Sequence, residues 1–214
     1  MNRIEKKYII NNCAEKFRLV KFLYKKGFKN IYQDRKNFSI YFDYKNYKLF
    51  HDSEEGLSFR KKIRLRTQKD LFINNFDNFN FEIKKSYPNI KKKFTFNSKK
   101  IYLSNMLTFE KNKLERQIFL KNIIPTLSTE YLRSYFFSEE FGRITIDQDL
   151  EYRIVRWKDF PKNFNFFNRI RDRRIIVEHK IDNPVNKDNL IPLIPVRFSK
   201  YCEGIKKFNL SKVF

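Results

Sequence analysis

Cysteine is nearly missing from this sequence. Cys13 and Cys202 stand alone in 214 residues, with no Cys-x-x-Cys pair and only two histidines in the whole chain. Neither a disulfide framework nor a zinc site is therefore expected, and a reduced compartment is. Glycine (4) and proline (6) are scarce as well. No Gly/Ser/Pro-rich linker divides the chain and no internal repeat stands out, so a single domain over 1–214 is the expectation. No apolar run approaches the ~18 residues that cross a bilayer as a helix, and the apolar stretch of "MNRIEKKYII" is too short for a signal peptide. A soluble, cytoplasmic protein is expected, with a place at the inner face of a membrane through an unidentified membrane partner as a further option. Acidic residues are the last shortage. With 24 Asp plus Glu against 47 Lys plus Arg, the formal charge is +23 and the pI about 9.9, values that attract nucleic acid, acidic lipid, nucleotides and polyphosphate alike.

What is present is a foldable chain, because 41% hydrophobic and 18% aromatic content is too much for disorder even with 33% charged residues. Abundant Lys, Asn, Ile, Phe and Tyr beside scarce Gly and Pro is what AT-rich codons produce, and that bias accounts for much of the surface lysine. It does not favour arginine, so regularly placed arginines carry more weight. In "RKKIRLRTQ", alternate residues put Arg60, Lys62, Arg64 and Arg66 on one face of an extended chain and Lys61, Ile63, Leu65 and Thr67 on the other. The same alternation sets Arg3, Glu5 and Lys7 against Ile4, Lys6 and Tyr8. It sets Ser39, Tyr41 and Asp43 against Phe38, Ile40 and Phe42, and Glu82 and Lys84 against Phe81 and Ile83. It recurs as Tyr131, Arg133 and Tyr135 opposite Leu132 and Phe136, then as Arg143, Thr145 and Asp147 opposite Ile144 and Ile146. Last come Glu178 and Lys180 opposite Val177, His179 and Ile181.

A single amphipathic strand ordinarily keeps its charges in water. Repeated in at least six segments, the pattern fits either an open sheet with a wet face or a closed barrel with a polar lumen and covering helices. Residues 12–27 offer a helix with Phe17, Val20, Lys21 and Tyr24 at helical spacing, stopping at Gly27. A second helix is expected over 113–124, with Leu114, Ile118 and Lys121 on one face and a halt before Pro125. "SKYCEGIKKFNL" reads as a last short helix or strand. Residues 85–112 and 158–172 read as loop with uncertain helix.

In order, "RIEKKY", "FSIYFD", "KIRLR", "FEIKK", "YLRSYF", "GRITIDQDL", "VEHKI" and "RFSKYCEGI" resemble the motifs of the VTC domain, the polyphosphate polymerase branch of the triphosphate tunnel fold related to CYTH proteins. The resemblance runs from Arg3 to about Ile205. It implies an α+β fold in which an antiparallel β-barrel, closed by roughly eight strands, encloses a charged lumen with helices packed outside. Arg3 stands where the CYTH opening E-x-E-x-K has its first Glu, as in the VTC branch. No SPX-like or membrane-spanning region of the eukaryotic relatives is visible, so regulation and translocation are not carried over.

The resemblance also implies roles. Arg64, Arg66, Lys84, Arg133 and Arg143 are the expected catalytic cations, the arginines making forked contacts with phosphate oxygens. Lys7, Lys62, Lys180, Ser199 and Lys200 are the expected substrate contacts. The arginines and barrel lysines have a plain alternative in ion pairing with Glu5, Glu82 or Glu178, and for Lys200 the alternative is a solvated lysine. For Mn²⁺ or Mg²⁺ the first expected ligand is Glu178 and the second Glu5; either alternatively serves as counter-ion to neighbouring lysines. Asp147 is expected to orient rather than ligate. His179 falls on the opposite face from Glu178, and His51 lies in a loop-like stretch, so neither is favoured as acid or base. Trp157 and most Phe residues read as core.

The implied reaction is transfer of the terminal phosphoryl of ATP to inorganic polyphosphate with release of ADP, which needs no general base. Hydrolysis of triphosphate or nucleoside triphosphate, with Glu5 or Glu82 positioning water, is the alternative. A non-catalytic polyphosphate or RNA binding module is a third reading, and it predicts salt-sensitive, metal-independent binding. Specific nucleic-acid recognition is not expected.

Overall fold

The computed structural model describes residues 4–68, 79–88, 90–98, 123–155, 168–181 and 190–210. Nine strands are present in them: β1 (Ile4–Ile10), β2 (Lys29–Tyr44), β3 (Arg60–Thr67), β4 (Phe79–Ser86), β5 (Lys91–Ser98), β6 (Ile123–Ser138), β7 (Gly142–Ile154), β8 (Arg169–Asp172) and β9 (Ile175–Ile181). The helices are α1 (Cys13–Lys25), α2 (Lys48–Glu54) and α3 (Lys200–Lys207). The strands form one sheet in the order β1-β9-β7-β6-β2-β3-β4-β5, with β8 paired to β7. The pairings β1–β9, β7–β9, β2–β3, β3–β4 and β4–β5 are antiparallel. The antiparallel sheet expected from the sequence is therefore present. Among the described residues the order is a path ending at β1 and β5, and closure into a barrel is not among its pairings.

The chain divides into two compact units. Unit 1 takes its residues from 1–37, 130–151 and 171–198, and unit 2 from 38–129, 152–170 and 199–214. Strands β2, β6, β7 and β8 each contribute a segment to both. In unit 1, Tyr8, Ile10, Ile144, Ile146, Ile175 and Val177 of the alternating strands bury one sheet face against Leu19 and Leu23 of α1. In unit 2, Ile63, Leu65, Phe81 and Ile83 are buried alternates of β3 and β4, whereas β2 is buried on both faces from Asn37 to Asp43.

Helix α1 starts where expected. The Asn12 side chain accepts from the Glu15 backbone N–H at 2.8 Å and its amide donates to the Glu15 carboxylate at 2.9 Å, a reciprocal cap. Of the residues at helical spacing, Val20 packs against the core, whereas Phe17 and Tyr24 are 70% and 54% exposed; Leu19 and Leu23 are the buried ones.

Three other readings are corrected. Ile123 and Ile124 are strand, and β6 continues through Pro125; the residue before a proline favours extended backbone, and a proline near a strand's start is tolerated. Residues 113–122 of the expected helix lie outside the described residues, as does Trp157. Within 85–112 and 158–172, β5 and β8 are strands rather than loop. His51 sits on α2, whose N-terminus is capped from a distance: the Asp43 carboxylate accepts from the Leu49 and Phe50 N–H groups at 2.8 and 2.9 Å.

Gly142 lets β7 start against β9. Its φ is +79°, and a Cβ there would lie 2.5 Å from the Lys180 carbonyl oxygen. Gly142→Ala is expected to lower stability by about 2–3 kcal/mol. Gly27→Ala, at φ +78° but with nothing within 4 Å, should cost only about 1 kcal/mol. Urea-unfolding midpoints of the two variants check the difference, and equal costs would show that the close approach to β9 does not matter.

Candidate functional site

In unit 1 the registers put the charged alternates of three strands in rows. Glu5 lies opposite Lys180, which lies opposite Arg143; Lys7 lies opposite Glu178, which lies opposite Thr145. All share the face turned away from Tyr8, Val177 and Ile144, because side chains alternate along a strand. On that face the Lys180 ammonium is 2.6 Å from Glu178, and Lys7 is 3.3 Å from Glu5. Lys7 also donates to the Phe198 carbonyl at 3.0 Å. Arg133, from β6, donates its guanidinium fork to both oxygens of Asp147, at 2.5 and 2.7 Å, and approaches Glu178 at 4.0 Å. Asp147 thus fixes Arg133. Arg143 is half-buried, and its Nε has no hydrogen-bond partner among the described residues; the same holds for the buried hydroxyl of Thr145.

Burial alone would raise the pKa of Glu178, but Lys180, Lys7 and Arg133 overcome it and hold the carboxyl well below the usual carboxylate range. Burial pushes the Lys180 ammonium down against the pull of Glu178. The sign for stability follows from linkage. A group with a depressed folded-state pKa contributes stability that is complete above its ordinary value of 4.5, and the contribution is lost as pH falls below that value toward the folded-state one. Acidification below about pH 4.5 is therefore expected to destabilise the wild type more steeply than Glu178→Gln. Urea midpoints measured from neutral to acidic pH check this, and parallel curves would remove Glu178 as the source.

Unit 2 carries a second cluster. Across β2, β3 and β4 run the rows Ser39–Arg66–Asn80 and Tyr41–Arg64–Glu82, and across β3, β4 and β5 the row Lys62–Lys84–Lys93. Arg64 donates its Nε to Glu82 at 2.7 Å and an Nη to the Tyr41 hydroxyl at 3.3 Å. Lys93 holds the other Glu82 oxygen at 2.7 Å. Burial opposes ionisation of Glu82, yet Arg64 and Lys93 bring its pKa below the ordinary value. The Tyr41 phenol is lowered too: burial raises it, and the charges of Arg64, Lys200 and Lys62 outweigh burial.

Helix α3 brings the late residues in. Ser199 is its N-cap, accepting from the Cys202 N–H, and also accepts from the Lys62 ammonium at 2.7 Å. Lys200 is the first helical residue and half-buried. The helix is pinned by Tyr201, whose hydroxyl donates to the buried Asp43 at 2.5 Å and whose ring stacks on Tyr41 at 5.1 Å between centroids.

The expected residues thus fall into two groups. Glu5, Lys7, Arg133, Arg143, Glu178 and Lys180 are gathered in unit 1, and Lys62, Arg64, Arg66, Lys84, Ser199 and Lys200 in unit 2. His179 is buried on the opposite face, its Nε2 2.7 Å from the Phe141 carbonyl oxygen. Lys93 joins the unit 2 cluster unanticipated, because lysine at both 92 and 93 blurs the alternation at the start of β5. Tyr201 as the pin of α3 had no local signal, because Asp43 is far away in sequence.

Among the described residues no three or more His, Cys, Asp or Glu side chains cluster as a metal site. Glu178 and Glu5, the expected metal ligands, lie on paired strands, each within ion-pair distance of a lysine.

The family model of the VTC domain matches residues 2–209. None of the curated proteins matches the sequence. Among solved structures, a candidate adenylate cyclase from Bacillus halodurans is similar with a TM-score of 0.54 and 14% identity, over 99% of this chain and 93% of that one; at such identity the likeness concerns the fold. A candidate adenylate cyclase from Vibrio parahaemolyticus has a TM-score of 0.45 at 16% identity, over 99% of this chain and 89% of that one. A candidate adenylyl cyclase from Hippeastrum with a dominant triphosphatase activity has a TM-score of 0.48 at 11% identity, over 99% and 87%.

Proposed function

The chain belongs to the VTC domain family, and from that premise we propose that it is a metal-dependent polyphosphate polymerase, transferring the terminal phosphoryl of ATP to a growing polyphosphate chain and releasing ADP. The observation that carries the reading is the apposition of Lys62, Lys84 and Lys93 across three strands, on the face that also bears Arg64 and Arg66. Like charges directly opposite one another weaken a sheet; Glu82 offsets part of this through Lys93, and a bound polyanion lowers it further.

In this reading an oxygen of the chain's terminal phosphate attacks the γ phosphorus, the bond to the β,γ-bridging oxygen breaks, and its electron pair leaves on ADP. The acceptor is already an anion, so no proton has to be taken from it. Phosphoryl transfer of this kind asks for alignment and charge neutralisation rather than covalent help. Arg64 and Arg66 bind phosphate oxygens through their forks, Lys62, Lys84 and Lys200 as point charges, and Ser199 holds Lys62 toward them. Arg133, Arg143, Lys7 and Lys180 do the same work in the unit 1 cluster. Glu178 and Glu5 would hold Mn²⁺ or Mg²⁺, which when bound neutralises charge on the phosphates. Glu82, a candidate to position water for hydrolysis, is held by Arg64 and Lys93, which favours transfer to phosphate.

The test is incubation of the purified protein with ATP and Mn²⁺, following ADP, free phosphate and acid-labile polymer together, with Arg66→Ala and Glu178→Ala as controls. ADP matched by polymer supports the polymerase. Free phosphate matching ADP makes the protein a hydrolase, and absence of turnover with tight polyphosphate binding makes it a binding module.

A further inference from the structure

The opposite face of β3, β4 and β5 carries a second pattern that the phosphate chemistry does not use. Lys61 lies opposite Lys85 and Lys85 opposite Lys92, so three ammonium groups form a cross-strand row there as well. Beyond one side of the row, where β3 begins and β4 turns into β5, stand Phe59, 67% exposed, Tyr87, 37%, and Ile90, 53%. Phe59 and Tyr87 meet edge to face at 5.8 Å, and the turn is closed by the Tyr87 N–H donating to the Ile90 carbonyl at 2.8 Å. On the other side Phe94, 41% exposed, lies opposite Ile83 with the Lys85 ammonium 5.3 Å from its ring centroid. Large apolar side chains scattered singly over a surface need no explanation, whereas several gathered at one hairpin end do.

We propose that this hairpin end is a docking surface for an anionic lipid bilayer, with Phe59, Tyr87 and Ile90 entering the headgroup boundary and Lys61, Lys85 and Lys92 resting on lipid phosphates. Aromatic and aliphatic side chains combined with lysine is the composition that seats a surface protein in the interface. The lysine row sets the charge of the occupant, since an anionic plane relieves the repulsion of three apposed ammonium groups. Two features favour lipid over single-stranded nucleic acid. Ile90 offers no ring for a base to stack on, and the Lys85 ammonium already sits beside the Phe94 ring. The surface is independent of the transfer reaction, because side chains on successive strand residues point to opposite faces.

The experiment is co-sedimentation of the full chain with vesicles of phosphatidylcholine alone and of phosphatidylcholine mixed with phosphatidylglycerol, using polyuridylate as competitor. Wild type should pellet with the anionic vesicles and little with the neutral ones. Lys61→Glu/Lys92→Glu is expected to weaken binding at least about tenfold, and Phe59→Ser/Ile90→Ser by about tenfold even at low salt. Lys29→Glu/Lys45→Glu, which changes the net charge equally at exposed positions elsewhere, should weaken it far less. Circular dichroism and melting curves confirm that the variants are folded. Equal losses in the two charge variants would overturn the proposal in favour of bulk electrostatic adhesion. An unaffected Phe59→Ser/Ile90→Ser variant, or tight polyuridylate binding by the same residues without vesicle binding, would overturn it as well.

Discussion

Arg133→Ala is expected to lower the stability of the protein by about 3–5 kcal/mol, because it breaks a buried ion pair from one side. Arg133 is 8% exposed and Asp147 not at all. Truncating the arginine strips both oxygens of the fully buried Asp147 of their forked donor. It also removes one of the cations that keep Glu178 ionised. Arg133→Lys retains a charge but not the fork, and should fall between. Arg133→Met/Asp147→Leu removes both charges and should recover most of the stability, since replacing a whole buried pair by apolar groups is often nearly neutral. Urea unfolding of the three variants measures this, and a loss below about 1 kcal/mol for Arg133→Ala would show that the pair is solvated like a surface one. Recovery of stability without recovery of turnover in the double variant would separate the pair's role in folding from any role in phosphate binding.

The same pair shows how far the sequence could be read. Arg133, Arg143, Glu178 and Lys180 were visible because period-2 alternation places a residue on a face whatever lies around it, and the strands that carry them form as expected. The register between strands was not visible. That Lys7 faces Glu178 and Lys62 faces Lys84 is set by pairings distant in sequence. Strand β5 was missed because Lys92 and Lys93 put lysine on both faces of its first half and blur the alternation. On α1, helical spacing alone does not separate the exposed Phe17 and Tyr24 from Leu19 and Leu23, which pack against the sheet. Helix α2 had no local start signal, since its cap comes from Asp43 and its preceding residue, Tyr47, adopts a left-handed φ of 53°.

Helix α3 is a case where a motif was legible and its reason was not. The S-K-Y resemblance pointed to Ser199 and Lys200 as substrate contacts, whereas Tyr201 is the residue that fixes both by bonding to Asp43 and stacking on Tyr41. Asp43 in turn holds the start of α2. Burial raises the pKa of Asp43 and of the Tyr201 phenol alike, so this contact is kept between a buried acid and a fully protonated hydroxyl. One carboxylate therefore anchors two helices, and the position of Lys200 depends on a contact 158 residues apart in sequence.

Arg143→Ala is expected to behave in the opposite way to Arg133→Ala. Its guanidinium is half-buried beside Lys180 on the paired strand, and its Nε has no hydrogen-bond partner among the described residues. Among the described residues no carboxylate is stranded when it is removed, and one cation is taken from a face that already holds Lys7, Lys180 and Arg133. Stability should therefore change by less than about 1 kcal/mol. The cost should appear in turnover instead. If Arg143 binds phosphate oxygens as charge shifts in the transition state, losing its preorganised donors lowers kcat by about 10²–10³-fold. Arg143→Lys, with charge but no fork, should restore only part of that. A fall in kcat with little change in KM would place the contact in the transition state, and a rise in KM alone would place it in substrate binding. An activity loss that follows the melting temperature across both variants would instead make Arg143 a residue of the fold, and normal turnover in Arg143→Ala would remove it from the reaction.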